Sequence, residues 1–133
     1  MKKITPKPHD STKITITIDE VPPSVNGAYK KGPSGIYMTR NAHSFKTATA
    51  YIAWQKVKQQ QWKIIPKGKF FKMEIEFFFK NKRFPDPNNL LKILIDALEG
   101  ILFENDKWLY TVMKCPKIVG ENKTRVTVFK PDE

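Results

Sequence analysis

Short oxygen-bearing side chains and one lysine are concentrated in a single stretch of this chain. The stretch runs from residue 86 to residue 106 and contains Asp86, Asn88, Asn89, Lys92, Asp96 and Asp106. Carboxylate and amide oxygens are the ligands that Mg²⁺ and Mn²⁺ prefer, whereas zinc sites are built mainly from Cys and His. A metal held by carboxylates supplies hydroxide near neutral pH, and a lysine beside it stabilises negative charge in a phosphoryl transition state. These residue types predict metal-assisted hydrolysis of a phosphodiester.

The same residues also have ordinary structural roles. Asp86 precedes Pro87, which is typical of a helix N-cap followed by the first helical residue. Lys92 and Asp96 have the spacing of a routine ion pair on a helix surface, and Asp106 has the residue type that closes turns. The spacing alone therefore leaves both a metal site and a set of caps and surface pairs open.

The charge of the chain indicates an anionic partner. Twenty-four Lys and Arg against thirteen Asp and Glu give a formal net charge of +11, and no acidic residue lies between Val21 and Met73. Seven of the acidic residues lie instead between Glu74 and Asp106. A basic half beside an acidic cluster is what a nuclease needs, because the lysines attract the phosphates and the acids hold the metal. Lys-rich solvated faces are nevertheless common, so the charge favours nucleic acid only slightly by itself.

Several other classes of protein have little material in this sequence. The single cysteine, Cys115, excludes an internal disulfide. The two histidines, His9 and His43, are far apart and in different contexts, so a zinc site or a Ser-His-Asp triad has almost no material. The first residues contain no apolar run typical of a signal peptide, and no segment has the length of a membrane span. We expect a cytoplasmic protein without membrane contact.

The elements that must position the acidic stretch can be predicted from periodicity. Residues 13–19 and 70–80 alternate apolar and polar side chains, which predicts two strands with one buried face each. Two further strands are predicted near residues 108–115 and 124–130, joined by a polar turn at residues 120–122. Residues 24–35 are dense in Gly, Pro, Ser and Asn and predict a long basic loop, with a possible short strand at residues 36–39.

Helical spacing predicts two principal helices. The first should run from about Ser44, as N-cap, to about Trp62, with Pro66 and Gly68 stopping it. The second should begin at Asp86 and continue through the apolar residues up to Leu102, with its polar residues on one side. The element order predicts one α+β domain over residues 13–133 with a mainly antiparallel or mixed sheet, after a disordered or tag-like start at residues 1–12.

Three segments resemble the RusA family of Holliday junction resolvases. Residues 86–92 (DPNNLLK) and 96–106 (DALEGILFEND) are similar to that family's D-x-D-N-L-x-K, D-A-L-N/E-G and D-D elements, and residues 22–26 (PPSVN) to its P-P-S-x-N element. The resemblance covers roughly residues 13–130. It implies a RusA-like fold, a homodimer, and Mg²⁺-dependent cleavage of two opposed strands of a four-way junction, with Mn²⁺ as a possible substitute.

Carried over position by position, the resemblance assigns a role to each matching residue. Asp86, Asn88 and Asp106 match the metal-binding aspartates, Lys92 matches the catalytic lysine, and Asn89 and Asp96 are expected to support them. Asn88 departs from the family, because an amide keeps an oxygen ligand but removes one negative charge and should weaken Mg²⁺ binding. Asn88 is then either a tolerated natural residue or an inactivating substitution.

The DNA-binding residues are expected in loops and at strand ends. The candidates are Lys30, Lys31, Arg40, Lys80, Lys82 and Arg83. Backbone contacts of this kind give a salt-dependent affinity with little sequence information. Two alternatives to a junction resolvase remain at this point: a non-catalytic module that binds branched DNA, and a nuclease for flaps or forks.

Overall fold

A mixed sheet forms the centre of the described part of the chain. The computed structural model describes residues 12–131, so the predicted tag-like start at residues 1–12 lies, apart from Thr12, outside the described residues. The elements, in chain order, are β1 (Lys13–Ile18), α1 (Val25–Ala28), β2 (Tyr29–Gly32), β3 (Gly35–Met38), α2 (Arg40–Gln60), β4 (Phe71–Phe79), α3 (Leu91–Leu98), β5 (Leu109–Met113), β6 (Lys117–Ile118) and β7 (Lys123–Phe129). Two 3-10 turns, Pro87–Leu90 and Asp106–Trp108, precede α3 and β5. This is the α+β domain that the sequence predicts.

The sheet has the order β1-β7-β4-β5, and β6 pairs with the last two residues of β4 on the side opposite to β7. β7 runs antiparallel to both β1 and β4, whereas β5 and β6 run parallel to β4. The connection from β4 through α3 to β5 therefore crosses over the sheet and returns to the end where β4 begins. As a consequence, Leu109 at the start of β5 pairs with Phe71 at the start of β4.

β4 is the core strand, as its alternation predicts. Five apolar residues of one face are at most 2% exposed: Phe71, Met73, Ile75, Phe77 and Phe79. Burial of each such side chain contributes about 1.5–3 kcal/mol relative to its exposure to water. On the opposite face Glu76 lies near the charged ends of Arg125, at 3.4 Å, and Lys117, at 3.7 Å. The two faces of β4 thus meet a core and a charged surface.

Helix α2 begins earlier than the sequence predicts. Its N-cap is Thr39 and not Ser44, because the Thr39 hydroxyl accepts a hydrogen bond from the Ala42 amide and donates one to the carbonyl of Gly27. The helix ends at Gln60, before Pro66 and Gly68 are reached, and its C-cap Gln61 adopts a left-handed conformation with φ 57°. α2 packs on β1 and α3. No helix within residues 12–131 is both long enough and apolar enough to cross a membrane.

The predicted long loop at residues 24–35 is wrong. Ser24 caps the short helix α1, and β2 and β3 form an antiparallel hairpin in which Lys30 pairs with Tyr37 and Lys31 with Ile36. Only the short strand at the end of this segment was predicted. The hairpin has no alternation of apolar and polar residues, because it belongs to a sheet of two strands and not to the core.

The second principal helix is shorter than predicted. Asp86 caps it and Pro87 is its first residue, as expected, but regular helix ends at Leu98. Gly100 then adopts φ 87°, which favours glycine and turns the chain. Leu102 is still buried, because its carbonyl accepts hydrogen bonds from the amide of Ile65 and the indole of Trp62. The apolar residues after Gly100 are thus core residues without being helical.

Candidate active site

The candidate site follows the helical segment from Asp86 to Asp106 and has two ends. The first end is the start of the 3-10 turn that precedes α3. Asp86 is exposed, and its Oδ1 accepts a hydrogen bond of 3.0 Å from the amide of Asn88. Its carbonyl accepts another, also of 3.0 Å, from the amide of Asn89. Asn88 is exposed and Asn89 is half-buried. Among residues 12–131 it is Oδ1 that caps the turn, which leaves Oδ2 of Asp86 and the side-chain oxygen of Asn88 open to a ligand at the same end.

Lys92 and Asp96 form the middle of the candidate site on α3. Lys92 Nζ lies 3.6 Å from Asp96 Oδ2 across one helical turn. The same carboxylate oxygen accepts a hydrogen bond of 2.7 Å from the hydroxyl of Tyr29, and Lys92 Nζ lies 5.2 Å from the centre of the Tyr29 ring. The ammonium group therefore has both an anion and an aromatic face beside it, and these two contacts hold it in place.

Tyr29 is the residue of this cluster that the sequence did not identify. α1, which Ser24 caps, packs against α3, and the amide of Thr39 donates to the carbonyl of Ala28 at the base of the hairpin. These contacts place the first residue of β2 over the middle of α3. The only signal in the sequence was the P-P-S-x-N element just before Tyr29, because Tyr29 and Asp96 are 67 residues apart.

The surroundings of Tyr29 raise the pKa of its phenol to about 12. Partial burial is the largest cause, followed by the hydrogen bond to Asp96 and by the negative charge of that carboxylate. All three disfavour the phenolate. Tyr29 is thus a neutral hydrogen-bond donor that holds Asp96 in place, and not an acid or base near neutral pH.

The second end of the candidate site is the 3-10 turn Asp106–Trp108. Asn105 caps this turn, because its Oδ1 accepts a hydrogen bond of 2.8 Å from the amide of Lys107. The amide of Asp106 donates to Glu99 Oε2, also at 2.8 Å. Asp106 itself is exposed. Two carboxylates, those of Glu99 and Asp106, therefore lie at the C-terminal end of α3.

Asp86 and Asp106 lie at opposite ends of the helical segment. The four residues of the 3-10 turn and the eight of α3 give a length of about 20 Å, at about 2 Å and 1.5 Å per residue. Asp86 precedes this segment, and Asp106 is bound to Glu99 immediately after it. Within residues 12–131, no group of three or more Asp, Glu, His or Cys residues could hold a metal ion. The structure therefore places the predicted ligands Asp86 and Asn88 at one end of this segment and the predicted ligand Asp106 at the other.

The candidate DNA-binding residues occupy two regions of the surface. Lys30 and Lys31 are exposed on β2, and Arg40 is exposed at the start of α2. Lys80, Lys82 and Arg83 are exposed on the connection from β4 to Asp86, which is fixed by hydrogen bonds from the amide of Lys80 to Asn122 and from that of Arg83 to Asn81. Within residues 12–131 none of these six side chains forms an ion pair. Their charge is therefore available to an anionic ligand.

Comparison with known proteins gives one family. The model of the family described as endodeoxyribonuclease RusA matches residues 20–129. The matched region begins just before the Pro22-Pro23 element and includes both ends of the candidate site. No curated protein matches the chain.

Proposed function

The chain belongs to the RusA family of endodeoxyribonucleases, and on this premise we propose that it is a Mg²⁺-dependent nuclease that resolves Holliday junctions as a homodimer. The observation that carries the proposal is the family match, which spans the whole stretch from Asp86 to Asp106. Mn²⁺ is the expected substitute for Mg²⁺, because both prefer oxygen ligands. Two matched sites would let a homodimer make two symmetric nicks.

Asp86, Asn88 and Asp106 are the proposed metal ligands, and Lys92 is the proposed catalytic cation. The contacts of Lys92 support its role, since an ammonium 3.6 Å from Asp96 and next to the Tyr29 ring is held in place. Such a group can stabilise charge on a phosphate or on the leaving oxygen. Asp96, which is bound by Tyr29, positions Lys92, and Asn89 supports the turn below Asp86.

Branched DNA is the proposed partner. The six basic residues on the hairpin, on α2 and before Asp86 carry charges that are not neutralised by acids of the described residues. Lys82 and Arg83 are closest in the chain to Asp86, so we propose that they hold a phosphate backbone next to the cleavage site. Contacts of this kind fix the position of the DNA and leave recognition to its branched shape.

The deciding experiment is cleavage of synthetic DNA in the presence and absence of Mg²⁺. A four-way junction, a flap, a fork and a linear duplex of matched sequence are each incubated with the full chain. Symmetric nicks in the junction that require Mg²⁺ support the proposal. Equal cleavage of flaps and forks would indicate a less selective branched-DNA nuclease instead.

A substitution of Asn88 tests its role. An amide at this position favours the alternative function, a module that binds branched DNA without cleaving it. We expect Asn88→Asp to raise Mg²⁺-dependent junction cleavage on the order of 10- to 100-fold, since altered metal surroundings commonly have effects of this size. Gln59→Glu, the same amide-to-carboxylate change at an exposed position of α2, is the matched control. Equal rates for Asn88→Asp and the unaltered chain would remove Asn88 from the metal site. Tight junction binding without cleavage by either chain would support the binding module.

A further inference from the structure

The hairpin of β2 and β3 extends beyond the core that it packs on. At its base Tyr29 pairs with Met38, and both side chains are partly buried against the core. The next pair on the same face is Lys31 with Ile36, because side chains two residues apart on a strand share a face. Both members of this second pair are exposed. The face of the hairpin that contacts the core is therefore free beyond the base.

Two large apolar side chains are exposed at neighbouring positions of β3. Ile36 is 75% exposed, more than any other large apolar side chain among residues 12–131, and Tyr37 is 54% exposed. Ile36 lies opposite Lys31, and Tyr37 lies opposite Lys30. Since successive side chains of a strand point to opposite faces, each face of the hairpin presents one apolar group and one ammonium group.

The outer part of the hairpin is fixed in shape. Pro33 and Ser34 connect the last pair, Gly32 and Gly35, and a proline at the first central position of a turn presets its backbone angle. A methyl group on Gly32 would lie 3.1 Å from two carbon atoms of the Tyr37 ring, so this ring packs across the backbone of Gly32. The exposed Tyr37 side chain is thus held against the opposite strand.

The base of the hairpin is fixed next to the proposed catalytic lysine. Tyr29 donates a hydrogen bond to Asp96, which lies 3.6 Å from Lys92. Just after β3 the hydroxyl of Thr39 donates to the carbonyl of Gly27 at 2.9 Å. The first exposed pair follows one residue beyond Tyr29, a step of about 3.4 Å along the strand. A DNA strand bound at Lys92 would therefore lie close to the hairpin.

Nucleic acid is the partner that these groups fit. No acidic residue lies between Val21 and Met73, and within residues 12–131 neither Lys30 nor Lys31 forms an ion pair. Phosphates attract the lysines, while aliphatic side chains can insert between bases and aromatic rings can stack on them. Insertion into a linear duplex must separate an intact base stack, whereas the stack is already interrupted at a branch point. The hairpin is therefore better suited to a branch point than to a continuous duplex.

We propose that the β2–β3 hairpin enters the branch point of the DNA substrate. There the side chains of Ile36 and Tyr37 contact bases that are not stacked on their neighbours. Lys30 and Lys31 bind the phosphates next to these bases. This role of the hairpin rests on the proposed function for branched DNA as the substrate. The two apolar side chains select branched over linear DNA, and the two lysines contribute affinity for both.

Replacement of the two apolar side chains by threonine tests this selectivity. Ile36→Thr/Tyr37→Thr, the threonine variant, removes the apolar contacts but keeps residues that favour strands. Binding is measured in EDTA by fluorescence anisotropy, on a four-way junction and on a linear duplex of matched sequence. We expect junction binding to weaken about 10- to 100-fold and duplex binding less than about 2-fold. Tyr51→Ala, which removes a side chain that is 59% exposed on α2, is the control and should bind like the unaltered chain.

Two further variants separate the apolar contacts from the charges. Ile36→Leu/Tyr37→Phe keeps both apolar groups and should retain the preference for the junction. Lys30→Gln/Lys31→Gln removes two charges and should weaken binding to junction and duplex alike. A threonine variant with an unchanged preference for the junction would overturn the proposal. So would a threonine variant whose molar mass in light scattering differs from that of the unaltered chain, because the hairpin would then be a contact between copies.

Photo-cross-linking tests where the hairpin lies on the DNA. 5-Iodouracil, which couples to aromatic side chains on irradiation, is placed either at the branch point of the junction or in one arm, a full helical turn away. The unaltered chain should be joined to the branch-point base through Tyr37, identified by mass spectrometry of the peptide. Equal coupling of Tyr37 at both positions, or coupling at neither, would overturn the proposal.

Both binding tests are independent of cleavage, so they separate the role of the hairpin from the proposed function. Coupling of Tyr37 at the branch point by a chain that cuts no junction in Mg²⁺ would support the hairpin and refute the nuclease function. Mg²⁺-dependent cleavage of the junction, together with an unchanged junction preference of the threonine variant, would support the nuclease function and overturn the role of the hairpin.

Discussion

Replacing Tyr29 with Phe tests the central contact of the candidate site with the smallest possible change. The substitution removes the hydroxyl that donates to Asp96 at 2.7 Å but keeps the ring beside Lys92. A pKa raised from 10.0 to about 12 corresponds to almost 3 kcal/mol of preference for the neutral phenol, at about 1.4 kcal/mol per tenfold change. Because Tyr29 is only half-buried, solvent screens part of this preference. We therefore expect Tyr29→Phe to lower the free energy of unfolding by about 1–2 kcal/mol near neutral pH.

The effect should depend on pH in one direction only. The folded state raises the pKa of Tyr29, so its contribution is complete below the unfolded pKa of 10.0 and is lost as the pH rises through about 12. The difference between the unaltered chain and Tyr29→Phe should therefore be constant at neutral pH and should shrink at alkaline pH. Urea unfolding followed by tryptophan fluorescence measures it at each pH, and the phenolate absorbance lost in the variant reports the titration of Tyr29.

Tyr37→Phe is the matched control, since Tyr37 lies on the same hairpin and is 54% exposed. It should leave the stability unchanged at neutral pH. If Tyr29→Phe and Tyr37→Phe have the same stability, or if the Tyr29 phenol titrates at the ordinary value of 10.0, then the hydrogen bond to Asp96 does not hold the hairpin on α3.

Three further experiments test other parts of the structure. Charge reversal at Lys82 and Arg83 should weaken binding to all four-way junctions alike. The slope of log K against log salt concentration should become less steep, by about 0.9 for each lost phosphate contact. A loss of binding confined to one base sequence would argue against backbone contacts. Thr49→Val should raise the free energy of unfolding by about 1 kcal/mol in urea, because the buried Thr49 hydroxyl has no partner within the described residues; a decrease would mean that the hydroxyl is bonded. Trp62→Phe should lower the same quantity by about 1–2 kcal/mol through the lost hydrogen bond to Leu102, and no change would show that this contact is absent in solution.

The features that the sequence predicted are those encoded by neighbouring residues. Asp86 followed by Pro87 specifies the start of a helix within two positions, and the alternation from Phe71 to Phe79 specifies one buried face. The motifs at residues 86–92 and 96–106 were sufficient for the family, which the comparison confirms. The assignment of individual ligands stays a prediction.

The features that the sequence did not predict depend on distant residues. The hairpin of β2 and β3 is stabilised by cross-strand pairs such as Lys30 with Tyr37, which leave no periodic pattern. The end of α3 was misplaced because Leu102 continues the apolar spacing, although Gly100 turns the chain and Trp62 fixes the carbonyl of Leu102. The separation of Asp86 from Asp106 follows from the crossover between β4 and β5, which spacing along the chain cannot reveal.

The position of β7 in the sheet has a consequence for the synthesis of the protein. β7 lies between β1 and β4, and Val126 pairs with Ile16 on one side and Ile75 on the other. At about 5–20 residues per second, a ribosome needs roughly 5–20 s to proceed from the end of β1 to the start of β7. During that interval β7 is absent, so β1 and the edge of β4 that later pairs with β7 have no strand partner. The emerging chain thus exposes two apolar strands until β7 pairs with both of them. This is the stage at which aggregation competes with folding.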